Sequence, residues 1–187
     1  DVAGLELAVV ESGFDPRRCV PPAEPRARDE LLFLGSLDYA PNLDGLAWFV
    51  REVLPVLANA RPGVRLSVVG SRPGAEARAL ASERVTIVGS VPDVVPHLQR
   101  ASLLVIPLRL GGGTRLKLVE AAACATPIVS TRVGAEGLAF QDGEHLALAD
   151  TAPQLARAVL DVLGDPRRAA ERAERARALA LERYTWG

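Results

Sequence analysis

Short apolar runs alternate along the chain with stretches of helical spacing, and this alternation is the feature that most restricts the possible folds. Apolar runs without polar interruptions are typical of strands that are buried on both faces, as in parallel sheets. The pattern therefore predicts an α/β fold: a doubly wound, Rossmann-like, mainly parallel sheet of about six strands, with helices on both faces. Strands are predicted at 31–35, 64–70, 84–89, 103–107, 127–131 and 145–149, and helices at 42–60, 74–82, 93–101, 114–125, 151–164 and 165–184. Pro55 predicts a kink or break within the first of these helices.

The first part of the chain differs in composition from the rest. Residues 16–30 read PRRCVPPAEPRARDE and are rich in proline and arginine, which is typical of irregular chain. We therefore interpret 1–30 as an interdomain linker and 31–187 as one domain, which is long enough to bury a single core. The first residue is Asp1 rather than methionine, and so we expect a fragment of a longer protein.

Composition and charge argue against several classes of function. The net charge of −1 provides no overall basic surface, so the sequence predicts no nucleic-acid partner. Cys19 and Cys124 lack metal-ligand spacing and fit the reduced thiols of a cytosolic protein. Because no apolar run reaches the roughly 18 residues that a transmembrane helix needs, we expect a cytoplasmic protein. Contact with the inner face of the membrane would be peripheral, through the arginine-rich last helix.

Five loops follow predicted strands, and these loops are the candidate ligand-binding positions. In a doubly wound sheet, ligands bind beyond the carboxyl ends of the strands, near the point where the strand order reverses. Four of the five loops contain Gly-Ser or a glycine cluster, which lets the backbone approach a ligand closely. Tight turns also need glycine, and so any one of these loops has a purely structural interpretation as well. The loops are 35–42, 70–74, 89–93, 107–114 and 130–137.

The strongest signal is a glycine run that leads directly into a helix, in the segment PLRLGGGTRLKLVE (107–120). Thr114 is a good candidate N-cap, since its hydroxyl can accept a hydrogen bond from an amide of the first turn. The amides of residues 113–116 would then point outward without partners, and the helix dipole adds a partial positive charge. This arrangement predicts an anion-binding site.

Two cations, Arg115 and Lys117, fall in the first turn of this predicted helix. Each opposes the helix dipole by about 0.3–1 kcal/mol, and a bound phosphate would offset that cost. Lys117 is the only lysine among the 22 basic residues. Glu120 lies farther along the helix, where its carboxylate could accept hydrogen bonds from ribose hydroxyls. Two simpler interpretations stay open: that Glu120 is a solvated helix residue, and that Lys117 pairs with a neighbouring side chain.

The sequence lacks the motifs of several other ligand classes. Neither the P-loop pattern G-x-x-x-x-G-K-[ST] nor the dinucleotide pattern G-x-G-x-x-G is present. There is no D-x-D, and His, Cys and Asp do not cluster with metal-ligand spacing, so we expect neither a metal nor a cofactor. His97 and His145 each stand alone in the sequence and are interpreted as structural residues.

Several segments, in order along the chain, match the pattern of one family. They are FLGSLDYAPNLDGLAWF (33–49), VVGSRPG (68–74), VTIVGSVPDVVPHLQRASLLVIPLRLGGGTRLKLVEAAACATPIVSTRVGAEGL (85–138) and ERYTW (182–186). Together they resemble the C-terminal half of the GT-B glycosyltransferases of group 1 (GT4-like), from about residue 9 to the end. The resemblance implies a half that binds a nucleotide-diphosphate sugar, while an N-terminal acceptor domain of the same protein would lie outside this chain.

The resemblance also assigns roles to residues in the loops after the strands. Glu120 matches the second acid of the Glu–seven residues–Glu motif, which holds the ribose. The implied backbone contacts with the base are Gly89, Ser90 and Val91, and those with the diphosphate are Gly35 and Ser36. For the donor sugar and its phosphates, they are the glycine run with Gly112 and Gly113, followed by Thr114 and Arg115. Leu116 is added to the donor-binding residues because its amide lies at the predicted start of the helix.

Three positions depart from the family pattern. The first acid of the motif falls on Gly112, so the identity of the donor sugar does not follow from the resemblance. The phosphate-binding arginine and lysine that the family carries after the first strand fall on Ser36 and Asn42. Arg115 and Lys117 would then supply the missing positive charge from the opposite loop.

The resemblance implies transfer of a sugar from a nucleotide diphosphate to a glycan, lipid or other acceptor, with retention of configuration. Without a metal, fixed amides and cations must stabilise the departing diphosphate, and we assign that catalytic role to Arg115 and Lys117. This chain alone is expected to bind the donor without turnover. Two alternatives stay open: a nucleotide-sugar epimerase of the same architecture, and a non-enzymatic interaction domain with a degenerate site.

Overall fold

The computed structural model describes residues 13–185, and a parallel sheet of six strands forms their centre. The strand order is β3-β2-β1-β4-β5-β6, and each neighbouring pair is parallel. The order reverses between β1 and β4, which makes that gap the switch point of a doubly wound sheet. The predicted sheet is therefore confirmed. The strands are β1 (Glu30–Leu34), β2 (Arg65–Val69), β3 (Val85–Gly89), β4 (Leu103–Ile106), β5 (Ile128–Ser130) and β6 (Ala147–Leu148).

Within residues 13–185, eight α-helices and one π-helical turn surround the sheet. The helices are α1 (Ala40–Trp48), α2 (Leu54–Ala60), α3 (Ala75–Ala79), α4 (Val95–Arg100), α5 (Leu116–Ala123), α6 (Arg132–Ala135), α7 (Ala152–Gly164) and α8 (Pro166–Arg183). Seven of them fall within or overlap the predicted helices. The exception is α6, whose four residues are too few to show a helical repeat in the sequence.

Both faces of the sheet are buried, which explains why the strands are continuous apolar runs. In β1, Leu32 and Leu34 belong to the core cluster that includes residues of α5 and α8. Leu31 and Phe33 belong to the second cluster, which includes residues of α1, α2 and α7. Side chains of consecutive strand residues thus pack on opposite faces, and each face has its own layer of helices.

The predicted helix at 42–60 is interrupted, as Pro55 indicated. A π-helical turn, Phe49–Val53, lies between α1 and α2, and Pro55 lies in the first turn of α2. Proline has no N–H and its ring crowds the preceding turn, so a regular helix cannot continue through this position. The wider π turn accommodates the break, and the amide of Leu54 donates to the carbonyl of Phe49.

Residues 13–29 pack against the rest of the structure. The amide of Phe14 donates to the carbonyl of Tyr184 at 2.9 Å, and Phe14 and Cys19 are buried in the core. The Arg26 guanidinium donates to carbonyls at the ends of two helices, among them those of Leu98 at 2.6 Å and Cys124 at 2.8 Å. These contacts fix the segment beside the carboxyl ends of the helices. The part of the predicted linker before residue 13, and Trp186 of the last quoted segment, lie outside the described residues.

In the part of the chain that the structure describes, none of the helices has the length and apolar character needed to cross a membrane.

Candidate functional site

The loops after β1, β2 and β3 enclose a cavity of about 240 Å³ at the carboxyl edge of the sheet. Four of the predicted donor-binding residues line it: Gly35, Ser36, Ser90 and Val91. Gly89 ends β3 at the same edge, with a φ of +85° that favours glycine. The fold therefore brings the residues assigned to the base and those assigned to the diphosphate to one cavity.

A larger groove, of about 350 Å³, lies between α2 and α7. Val56, Pro153 and Leu160 are among the residues that line it, and none of the predicted site residues does. Ligands of doubly wound sheets bind at the carboxyl edge, and so the smaller cavity is the better candidate.

Close backbone packing shapes the smaller cavity. A Cβ atom added at Gly70 would lie 1.9 Å from the carbonyl oxygen of Gly35, so only glycine fits there without a shift of the backbone. Gly70 and Ser71 line the cavity but were not among the predicted site residues. The Gly-Ser pair in the loop 70–74 was the available signal, since the same pair opens the loops after β1 and β3.

Hydrogen bonds join the loop after β1 to the loop after β2. The Ser36 hydroxyl donates to Asp38 Oδ1 at 2.5 Å and lies 2.7 Å from the Ser71 hydroxyl. Arg72 donates to the other oxygen of Asp38 at 2.7 Å. The hydrogen bonds from Ser36 and then Arg72 lower the pKa of the Asp38 carboxyl. The proton of the Ser36 hydroxyl is thus already committed to Asp38.

The glycine run 111–113 forms the loop between β4 and α5. Gly111 and Gly113 have φ values of +105° and +96°, which residues with a Cβ rarely adopt. Arg115 is buried and donates to the carbonyls of Gly111 at 2.9 Å and Gly112 at 3.1 Å. The guanidinium therefore lies beneath the glycine run and supports it.

Thr114 does not cap the helix, contrary to the prediction. The first residue of α5 is Leu116, and the N-cap is Arg115, without a capping side chain. The carbonyl of Arg115 accepts hydrogen bonds from the amides of Leu118 and Val119, while the Arg115 side chain turns back to the glycine run. Thr114 and Leu116 are exposed beside this start of the helix. Lys117 therefore lies in the first turn of α5, whereas Arg115 lies just before the helix.

Lys117 extends from α5 towards the loop after β1. Its ammonium donates to Asn42 Oδ1 at 2.9 Å and lies 5.5 Å from the centre of the Phe33 ring. Burial, and then the positive charge of Arg115, lower its pKa from 10.5 to about 8. Among residues 13–185, no carboxylate lies within ion-pair distance of this ammonium. The neighbour that pairs with Lys117 is thus a neutral amide, and the charge is not neutralised.

Glu120 is partly buried on α5, and its carboxylate has no hydrogen bond or ion pair to residues 13–185. Burial raises the pKa of this carboxyl, the charge of Arg18 opposes the rise, and that of Asp93 adds to it. Arg18 donates to Asp93 at 3.1 Å and so ties the N-terminal segment to the loop after β3. None of the described residues thus competes with a ligand for the oxygens of the Glu120 carboxylate. Sequence reasoning missed Arg18 and Asp93, which are 75 residues apart.

Gly112 and Gly113 lie open to solvent. A Cβ atom added at either one would meet nothing within 4 Å. The space at Gly112 corresponds to the missing first acid of the resembled motif. Within residues 13–185, no group of three or more His, Cys, Asp or Glu side chains could hold a metal ion.

Comparison with known proteins gives one consistent family. A sequence model described as "Glycosyl transferases group 1" matches residues 28–165. Glycogen synthase of Mycobacterium tuberculosis is 32% identical over 197 aligned positions, which cover 97% of this chain and 45% of that protein. The chain spans about half, or less, of the curated relatives that it matches, between 36% and 51%.

Solved structures share the fold. Anabaena Alr3699/HepE in complex with UDP and glucose has a TM-score of 0.77 and 18% identity, over 92% of this chain and 51% of that chain. The C-terminal domain of a glycosyl transferase group 1 family protein (LpcC) from Francisella tularensis has a TM-score of 0.75 and 15% identity. It covers 94% of this chain, and all of that chain is matched.

Proposed function

This chain belongs to the group 1 glycosyltransferases, and we propose that it is the part that binds the nucleotide-diphosphate sugar. The full-length protein would transfer the sugar to an acceptor that is held by another part of the same protein. The relatives support this proposal by their names, which include a glycogen synthase and a GDP-mannose-dependent mannosyltransferase. HepE, which shares the fold, was solved with UDP and glucose.

The proposal rests mainly on the environment of the Lys117 ammonium. It is largely removed from water, it has no carboxylate partner among residues 13–185, and it lies at the start of a helix at the switch point. Burying an unpaired charge is unfavourable, and such groups mark functional sites in many proteins. A diphosphate is the ligand whose charge and shape match this cation and the free amides of the first turn.

The proposed mechanism places the departing diphosphate against the start of α5. Lys117 would donate to a phosphate oxygen, and the amides of the first turn would stabilise the negative charge that develops as the glycosidic bond breaks. Arg115 would act through the glycine run that it supports, and it would add to the positive potential. The proposal includes no metal and, from the resemblance to the GT4-like enzymes, retention of configuration.

Glu120 and the cavity would hold the remainder of the donor. The carboxylate of Glu120 would accept hydrogen bonds from ribose hydroxyls, and the backbone at 89–91 would meet the base. In the full-length enzyme, contact with the inner face of a membrane would be peripheral, through the exposed arginines of α8.

A thermal-shift screen with UDP-, GDP-, ADP- and dTDP-sugars tests the proposal. A donor at a hundredfold excess over its Kd stabilises the folded state by about 2.7 kcal/mol, which raises the Tm by several degrees. One base is expected to give a clear shift, while the matching nucleoside gives a smaller one. If no nucleotide sugar shifts the Tm, the proposal fails and the result favours the alternative of an interaction domain with a degenerate site. Product analysis of the full-length protein distinguishes a transferase from an epimerase.

A further inference from the structure

We propose that Asn42 is a positioning residue: it aims the ammonium of Lys117 at the donor diphosphate and leaves the positive charge of that ammonium intact. This inference rests on the proposed function, since it concerns how the same site holds its ligand. Asn42 is separated from Lys117 by 75 residues, and no local pattern links the two.

The two hydrogen bonds of the Asn42 side chain fix its orientation. Its Oδ1 accepts from Lys117 Nζ at 2.9 Å, and its Nδ2 donates to the carbonyl oxygen of Ser36 at 2.9 Å. An ammonium can only donate and a carbonyl can only accept, so the opposite orientation of the amide would break both bonds. Asn42 thus bridges the loop after β1 and the start of α5, the two elements that flank the switch point.

Packing holds the amide in this place. Asn42 is 7% exposed and lies in the first turn of α1, where its backbone N–H donates to the carbonyl of Tyr39 at 3.0 Å. A Cβ atom added at Gly35 would lie 2.7 Å from both Cγ and Nδ2 of Asn42. The backbone of the loop after β1 therefore touches the amide directly, and a glycine is needed for this contact.

The neutrality of the amide matters for the binding of an anion. A carboxylate at position 42 would form a buried ion pair with Lys117 and cancel most of the field that a phosphate would experience. An amide oxygen has only a partial charge, so it orients the ammonium while the full charge remains available. Besides Asn42, the ammonium faces the Phe33 ring, and Arg115 is the charged side chain that acts on it. Asn42 is therefore the group that fixes the direction of Lys117.

Titration calorimetry with UDP, GDP, ADP and dTDP, and with their nucleosides, tests this role in the parent chain and in two variants. Asn42→Ala removes the acceptor and is expected to weaken diphosphate binding about tenfold, which corresponds to about 1.4 kcal/mol. The nucleoside affinity should stay within about twofold, because the base and ribose contacts do not involve Lys117. Asn42→Asp keeps the size of the side chain and is expected to weaken diphosphate binding more than Asn42→Ala.

The pH profile of diphosphate binding separates positioning from a merely structural role. The affinity for the diphosphate should fall as the pH rises and Lys117 loses its proton. In Asn42→Asp this fall should move to higher pH, because a carboxylate stabilises the charged ammonium. In Asn42→Ala it should move to lower pH, because the acceptor is lost. Combining Asn42→Ala with Lys117→Met should cause no further loss beyond Lys117→Met alone. Unchanged pH profiles, or full additivity of the two losses, would refute the role of Asn42.

The proposed function can fail separately from this inference. If the parent chain binds none of the four diphosphates, both the function and the role of Asn42 fall together. If the parent binds one of them and both folded Asn42 variants bind it equally well, only the role of Asn42 is wrong. Melting curves of the variants without ligand establish that they are folded, and Asn42→Asp serves if Asn42→Ala does not fold.

Discussion

Replacing Lys117 with methionine separates the cost of burying this charge from its benefit to a ligand. Methionine keeps the length and the apolar packing of the lysine stem but has no ammonium. The Lys117→Met variant should therefore lose most of its diphosphate binding, while its fold is largely unaffected.

The structure gives the size of both effects. The pKa of Lys117 falls from 10.5 to about 8, which corresponds to about 3 kcal/mol against the buried charge at neutral pH. Methionine removes this cost, but it also removes the hydrogen bond to Asn42, which is worth about 1–3 kcal/mol, and the contact with the Phe33 ring, about 0.5–2 kcal/mol. The two sides nearly cancel, so the free energy of unfolding without ligand should change by less than about 2 kcal/mol. The lost hydrogen bond to a phosphate corresponds to about 1.5–3 kcal/mol, or about 10- to 150-fold in Kd.

Urea unfolding without ligand and calorimetric titration with the diphosphate and its nucleoside measure these quantities. We expect near-normal unfolding, a diphosphate affinity that falls by one to two orders of magnitude, and an unchanged nucleoside affinity. The reasoning is refuted if Lys117→Met unfolds much more easily and yet binds the diphosphate normally, because Lys117 would then be a structural residue.

The free energy of unfolding of the parent, relative to Lys117→Met, should rise between about pH 8 and pH 10.5. The pKa of Lys117 is lower in the folded state than in the unfolded state, so the cost of burying its charge is complete below about pH 8 and disappears once the lysine is neutral in both states. Denaturant unfolding of both proteins at several pH values measures this change. A difference in unfolding free energy that does not vary with pH would contradict it. Glu120→Gln should weaken binding of the nucleoside diphosphate by about 1.5–3 kcal/mol. Removing the 2′-hydroxyl of the ligand should lower its affinity for the parent but lower its affinity for the variant little further. If calorimetry shows the same loss with both proteins, Glu120 does not contact that hydroxyl. Gly70→Ala should lower the free energy of unfolding by about 1–3 kcal/mol, because its Cβ would lie 1.9 Å from the carbonyl of Gly35, whereas Gly74→Ala has no neighbour within 4 Å and should melt like the parent.

The sheet was predictable because the signal for it is local. A strand such as β1 is covered on both faces and must be apolar at each buried position, so it stands out in the sequence as a continuous run. Pro55 also acts locally, and so the break in the long helix could be placed near it, although the π turn itself could not. The four-residue helix α6 gave no periodic signal.

The start of α5 shows why the site was harder to predict than the sheet. Thr114 has the chemistry of an N-cap, yet the helix begins at Leu116, and Arg115 before it turns its side chain back to the glycine run. That choice depends on packing beneath the loop, which sequence spacing does not reveal. The contact between Lys117 and Asn42 is also invisible in the sequence, because it joins the first turns of α5 and α1, which meet only after the parallel sheet has formed.

The loops after β1, β2 and β3 share one cavity, whereas the ligand-binding roles assigned to their residues remain predictions. Gly35, Ser36, Ser90 and Val91 line one cavity, as their shared position after parallel strands indicated. Gly112 is open to solvent, and its part in holding a donor sugar depends on the ligand.

A crystal structure of this chain with the nucleoside diphosphate that the screen selects would show directly whether the diphosphate binds at the start of α5. We expect a phosphate oxygen within hydrogen-bond distance, about 2.7–3.2 Å, of Lys117 Nζ and of a backbone amide in the first turn of α5. We also expect the ribose to contact Glu120 and the base to lie in the cavity beside Ser90. A diphosphate bound elsewhere, for example in the groove between α2 and α7, with Lys117 still bonded only to Asn42, would contradict the role proposed for Lys117.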